Sequence, residues 1–559
     1  MSLPPPARYR SVLRLEPLES REVPATLVSP TTVTYQDVDG DNVTVLLSQP
    51  KLTAANVNTL FTFDVSSVNG SNTTKQQLRT IDLSSLGVAA TGMAVTTTAV
   101  RSTVNGGDGF AALGQINATG IDLGAVKVDG DLGRILAGDA TTTTTGLASL
   151  KVHSMGRFGT STGATNLTTI QGRLGSLTVR TDVKDAFIQV LGGVDGKIGS
   201  IAITGSLIGG AGGASGLIVS DGAITSLKIG GDVIGGAGGN SGRISSDGAI
   251  TSLTIGGDVI GGAGNSSGCI FSFGAITSLA IGGSVIGGAG GNSGLIFSNG
   301  AITNLAIGGN LIGGAGDPSG LIFSNGAITS LKIGGDLIGG SAAGTDNLRN
   351  SGSIEAQRIG TLTIGGSLTA GTDTTSGTFS TNGAIRVSDD IGSVTIGNIV
   401  GNATNPAIIS ARGRAVPTTT DLAIGKLTVK GRVEFAQILA GYDTTGAPVN
   451  ADAQIGPVIV VGDWIASSLV AGAIATNGLF GDADDAAIAG GNPTIASKIT
   501  SLTIGGQALG TVGGADHFGI VAQSIGIVKI GGTTMPTAVG FGNDDFFVGI
   551  TSDFKINEI

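Results

Sequence analysis

Cysteine is almost missing from this 559-residue chain, and the single Cys269 excludes an intramolecular disulfide, so stability has to come from packing. Only His153 and His517 accompany that thiol, too few and too far apart for a zinc-binding group. Charge is also scarce. Charged residues make up 13% of the chain, where ~25% is usual. With a net charge of -10, the surface repels phosphate backbones, and nucleic acid is not an expected partner. Aromatic residues reach only 4%, and Trp464 is the one tryptophan, which argues against the aromatic platforms that line sugar-binding clefts. Long apolar runs are missing too. The longest nearly uncharged stretch, Ile455 to Gly481, contains Asp463 and follows the repeat register described below, so no transmembrane segment is expected.

What the chain has in excess is glycine, 99 residues of it, and an internal repeat. The segment GAITSLKIGGDVIGGAGGNSG begins at Gly222, with close copies at Gly248, Gly274, Gly300 and Gly326, a period of 26 residues. A fixed period of this size marks a solenoid whose repeats bury their apolar faces only by stacking. Each copy carries three short β-branched or leucine-rich runs, as in Ser226 to Ile229, Asp232 to Ile234 and Leu295 to Phe297, separated by turn formers. Helices do not tolerate breakers at that density, whereas a parallel β-helix of three strands per coil requires them. Hydrophobic residues at 40%, held in fixed columns, exclude glycine-rich disorder. Counted from Leu227, the columns at zero, plus two, plus six, plus seventeen and plus twenty-three stay aliphatic, and these are the expected interior: Leu227, Ile229, Val233, Ile244 and Ile250 in one copy. Parallel connections favour the right-handed sense.

Residues 1 to 25 carry Arg8, Arg10 and Arg14 but no apolar core of signal-peptide length. The run Leu15-Glu16-Pro17-Leu18-Glu19-Ser20-Arg21, followed by Pro24-Ala25, resembles the LEPLE-x-R-x-x-P-A segment near the start of many large secreted and surface repeat proteins of planctomycete-type bacteria. That resemblance covers about a dozen residues and implies export to the envelope or outside, with a β-solenoid to follow. Residues 26 to 115 read as a small β-rich capping domain that opens on a hairpin, TTVTYQDVDGDNVTVLL. Its Asp37, Asp39 and Asp41 alternate like the first ligands of a calcium loop, although the turn glycine is Gly40 rather than the sixth residue of the loop and Ser48 stands at the twelfth position in place of a bidentate Glu. Ca2+ and a solvated turn are the two readings. The parallel β-helix is expected from 116 to 559, with regular coils over 198 to 340 and longer loops over 341 to 501. Anchors from Val126 to Val528 and Phe554 give about sixteen coils, a rod on the order of 75 Å.

Chemistry is less legible. Outward residues of the first face, from Lys127 to Thr428, include no carboxylate, so the paired acids of a polysaccharide lyase or hydrolase are absent there. The insertion Phe480 to Pro493 gathers Asp482, Asp484 and Asp485, the best catalytic candidates in the chain. The Asp column at plus five (Asp131, Asp182, Asp232, Asp258, Asp336, Asp463) reads as turn chemistry, because Ser284 and Asn310 interrupt it. The expected function is a non-catalytic, secreted or surface-displayed scaffold, adhesin-like or envelope-structural. A polysaccharide-active enzyme and a calcium-stabilised extracellular module are the alternatives. One surface looks too apolar for an isolated rod: Phe271, Phe297 and Phe323 with Leu217, Leu295 and Leu321, and the column Ile260, Ile286 and Ile312, all expected to face outward. Lateral self-association, or contact with envelope or extracellular polysaccharide or protein, would use it.

Overall fold

The computed structural model describes residues 26–65, 76–103, 106–162, 165–417, 419–511 and 516–559. The LEPLE segment lies outside them. The chain is 53% strand and 4% helix, and parallel coils stack into a β-solenoid of about 16 turns. One regular coil holds a first-face strand, Ile224–Ile229, a two-residue second-face strand, Val233–Ile234, and a third-face strand, Arg243–Ser246. Each pairs in parallel with its equivalent one repeat on, as in Leu227 with Leu253, Val233 with Val259, and Ile244 with Ile270.

The five aliphatic columns fill the lumen. Leu227, Ile229, Val233, Ile244 and Ile250 are each at most 1% exposed, and their equivalents in the other regular coils, up to Leu337, are at most 2% exposed in one continuous core. Corners are made by residues of positive φ. Gly242 has φ +58°, and a Cβ there would lie 2.0 Å from the Ile234 carbonyl oxygen, so only glycine lets the chain turn into the third face so close to the second. Serine hydroxyls buried beside these corners are satisfied by the backbone: Ser246 donates to the Gly222 carbonyl over 2.9 Å, and Ser241 receives the Gly236 N–H over 2.8 Å.

The plus-five column is a hydrogen-bond ladder between coils. The Asp232 carboxylate accepts the N–H of Asp258 at 2.8 Å, Asp258 accepts that of Ser284 at 2.6 Å, and Asn310 accepts that of Asp336 at 2.7 Å. Serine serves equally, since the Ser284 hydroxyl oxygen accepts the N–H of Asn310 at 3.0 Å. The column therefore needs an oxygen acceptor, not a charge, which is why Asp, Ser and Asn alternate in it.

Both ends depart from the sequence expectation in detail. Parallel pairing begins before residue 116: Val95 stands opposite Val126, and Thr80 opposite Gln115. The hairpin Thr32–Gln36 and Asn42–Leu47 then adds to that first rung in antiparallel fashion through Val95–Val100, closing the open end of the sheet. At the other end Phe554 is not a first-face anchor. It pairs with Phe518 on the third face, because the chain folds back after Ser524–Ile530 through short antiparallel pairs. The insertions beyond 340 are more than loops. Ala342–Gly344 stacks on Asp373–Thr375, and Ala473–Ala475 forms a hairpin with Asp485–Ala487. Ile455 to Gly481 is a coil, with Trp464 fully buried and its Nε1–H donating to the Ser467 carbonyl at 2.8 Å. Among the described residues no helix is long and apolar enough to cross a membrane.

Candidate functional site

The outer side of the third face carries an outward column that changes character along the rod. It runs Phe271, Phe297, Phe323, Glu355, Arg386, Ser410, Leu439, Val470 and Val521, each paired in register with the next. At the phenylalanine end the rings stack at centroid distances of 5.5 and 5.7 Å, the last pair being parallel to within 2°. All three rings are half-buried, and Phe273, 51% exposed, meets Phe297 edge-on at 6.1 Å. The Arg243 guanidinium caps the strip 4.0 Å above the Phe271 ring.

Leu217, Leu295 and Leu321 do not belong to this exposed surface. They point out of the lumen as the alternation requires, yet they are only 6%, 4% and 5% exposed. Leu295 and Leu321 form a small cluster with Cys269, against which the three rings pack, and the Cys269 Sγ–H reaches the Asn292 carbonyl of the next turn at 2.8 Å. Outward and exposed differ here because Leu295 and Leu321 are packed against Cys269 and the phenylalanine rings. Burial pushes the Cys269 thiol up to about 12, so it is no nucleophile. Ile260, Ile286 and Ile312 lie half-buried, at the outward positions expected of them.

At the far end of the same column the chain covers itself. Leu439, Val470 and Val521 form a second small core with Tyr442, Phe480 and Ile488, contributed by the insertions. Asp482, Asp484 and Asp485 sit in that covering segment, each half-buried, with carboxylate oxygens within 4.8 Å of one another. Their oxygens hold the turn together. Asp484 accepts the Thr476 hydroxyl at 2.5 Å, Asp482 the Asn477 amide at 2.7 Å, and Asp485 both the Gly481 N–H and the Asn557 amide at 2.8 Å. Burial holds the Asp485 carboxyl above its ordinary value, partly offset by the Asn557 hydrogen bond. A cleft of about 210 Å3 nearby is lined by Phe435, Phe480, His517 and Phe518, and none of the three aspartates lines it. The three aspartates that the sequence singles out are therefore not brought to that space, whose own titratable lining is Asp516 and His517.

The N-terminal acidic turn is built differently. Asp37 is 6% exposed and Asp41 fully buried, with Asp39 half-buried between them, and one carboxylate oxygen of each lies within 4.8 Å of the others. Asp41 accepts the N–H groups of Ser102 and Gly109, both at 2.5 Å, and Asp39 accepts that of Asp108 at 3.1 Å, so the turn is tied to Ser102, Asp108 and Gly109. Burial, followed by the hydrogen bond and charge of Asp39, pushes the Asp37 carboxyl up to about 8. Beside it opens a cleft of about 320 Å3 between cap and first coils, which Asp37, Asp39, Asp131, His153, Arg157 and Thr162 line. His153, to which the sequence assigns no role, stacks against Phe110 at 4.0 Å with its Nδ1 unpartnered. Nothing in the spacing of residues 37, 131, 153 and 162 signals that they meet.

No protein-family model, curated protein or solved structure matches this chain.

Proposed function

We propose that the chain is a secreted or surface-displayed, non-catalytic scaffold that associates laterally with a second copy of itself through the phenylalanine strip. One observation carries this reading: an outward column that the chain covers with its own apolar insertion at Leu439, Val470 and Val521 is left uncovered at Phe271, Phe297 and Phe323. The strip is also bounded by opposite charges. Arg243 stands over Phe271 at one end, and Glu355 follows Phe323 at the other. Two rods related by a twofold axis at Phe297 would lay ring against ring and bring each Arg243 toward the partner's Glu355. Export is supported by the N-terminal LEPLE segment, and its direct check is fractionation of the native cells.

The test of association is sedimentation over a range of concentrations. Joint replacement of Phe271, Phe297 and Phe323 by Ser should leave the melting profile cooperative and shift the chain to monomer. Arg243→Glu alone should weaken association, and Arg243→Glu with Glu355→Arg should restore it. A wild-type chain that stays monomeric at high concentration overturns the reading.

A further inference from the structure

The cleft of about 210 Å3 beside the second small core plays no part in lateral association, and it combines aromatic walls with polar groups that the chain leaves free. Pro406, Phe435, Ala466 and Phe518 reach it from four successive coils, and Phe480 from the covering insertion. Phe435 follows a second-face strand, a position held by Gly235, Gly261, Gly287 and Gly313 in the regular coils and by Gly401 in the coil before. It is fixed at φ +45°, which a bulky side chain rarely adopts, and its N–H and carbonyl are hydrogen-bonded to Ile465 and Ala407, each at 3.0 Å. The chain thus accepts strain where glycine would avoid it, and the ring placed there lines the cleft. Three polar side chains share that lining. Gln437, Asp516 and His517 are each half-buried, and among the described residues none of them makes a side-chain hydrogen bond. We propose that this cleft binds one neutral pyranose, free or at the end of a glycan, with its C–H face on the phenylalanine rings and its hydroxyls on Gln437, Asp516 and His517.

Size, polarity and charge select this ligand class. The space exceeds the ~150 Å3 that takes up one benzene ring and falls short of the ~300 Å3 at which drug-sized pockets begin, so it suits one substituted six-membered ring. Sugar hydroxyls both donate and accept, and so engage an amide, a carboxylate and an imidazole together. A quaternary ammonium group would use the rings and Asp516 but leave Gln437 and His517 idle. Acidic sugars are disfavoured. Asp516 lines the cleft, the insertion that supplies Phe480 also carries Asp482, Asp484 and Asp485, and no Lys or Arg is among the described lining residues. The chain is poor in aromatic residues, yet three of its 17 phenylalanines line this one space, a convergence that no repeat spacing signals. Along the third-face column the cleft lies about four coils beyond Phe323, so sugar binding and lateral association can be tested apart.

Saturation-transfer NMR on the full chain tests the site, with the methyl glycosides of glucose, galactose, mannose and N-acetylglucosamine as probes. At least one should receive saturation, with Kd on the order of 1 to 10 mM, as a ligand of about a dozen heavy atoms allows. Methyl glucuronide should bind more weakly than methyl glucoside, and tetramethylammonium should not compete. Gln437→Ala and Asp516→Asn should each weaken binding by about fivefold or more while leaving the melting temperature unchanged, since neither side chain bonds to the chain. Phe435→Gly should weaken binding while the melting temperature holds or rises, because the corner regains the residue that other coils use. A trisaccharide of the bound sugar separates the sources: saturation of one end residue assigns the site to glycan termini, and no binding assigns it to the free sugar. Equal transfer to all three residues would overturn the single-residue site. No transfer to any neutral glycoside, transfer that survives Gln437→Ala and Asp516→Asn unchanged, or displacement by tetramethylammonium would each overturn the proposal. Should Phe435→Gly misfold, the two polar variants still decide.

Discussion

Ile296→Asp tests the lumen directly. Ile296 is fully buried between Ile270 and Ile322 in the third-face column. Truncation to Ala removes about three methylene equivalents at ~0.8 kcal/mol each, and the cavity left between two rigidly spaced rungs brings the loss into the range of about 2 to 5 kcal/mol. Asp adds an unpaired carboxylate in an apolar column, a further cost of several kcal/mol unless the coil opens to hydrate it. Because each coil touches only its neighbours, the damage should stay local. Hydrogen exchange should therefore show lost protection over the coils flanking residue 296, with the distant coils near 150 and 458 unchanged, and the melting profile should lose cooperativity. The control is Lys332→Asp, an exposed first-face position, expected to cost less than about 0.5 kcal/mol. Equal destabilisation by Ile296→Asp and Lys332→Asp, or exchange that rises uniformly along the rod, would refute the column assignment.

Asp258→Asn should be nearly neutral in denaturant melts, whereas Asp258→Ala, which leaves the Ser284 N–H without its acceptor, should cost about 1 to 3 kcal/mol; an equal loss in both would mean that charge matters in the ladder. Gly242→Ala should cost at least about 1 to 3 kcal/mol by chemical denaturation, since it forces a left-handed residue and a Cβ 2.0 Å from the Ile234 oxygen. For Asp37 the folded carboxyl titrates at about 8, above its unfolded value, so the folded state holds the proton more tightly. Stability should then fall as pH rises from about 4 to about 8, with a slope of at most about 1.4 kcal/mol per pH unit, and Asp37→Asn should flatten that slope. A screen against neutral and acidic polysaccharides should find no turnover; activity that disappears in Asp482→Asn or Asp485→Asn would establish the enzyme reading instead.

How much could be read from the chain differs between fold and site. The repeat exposed the interior because an aliphatic column stacked at ~4.8 Å tolerates no polar guest, so Leu227, Ile229, Val233, Ile244 and Ile250 recur while their neighbours drift. The Asp column was legible as turn chemistry for the complementary reason: Ser284 and Asn310 replace Asp wherever an oxygen suffices. Exposure outside the lumen was not legible. Alternation places Leu295 and Phe297 on the same outer side, but that Leu295 is buried against Cys269 while Phe297 stays half-open depends on packing between coils.

The coil, the direction in which each column points and the approximate number of rungs follow from local periodicity and pairwise stacking, and so can be read from the chain alone. The ends and the candidate sites depend instead on contacts between segments far apart in the chain. Phe554 keeps the 26-residue spacing from Val528 and still pairs with Phe518, since a terminal coil has no next rung to hold its register. Asp37, Asp131, His153 and Thr162 meet in one cleft because the cap folds down on the first coils, a contact between segments far apart in the chain that no period encodes.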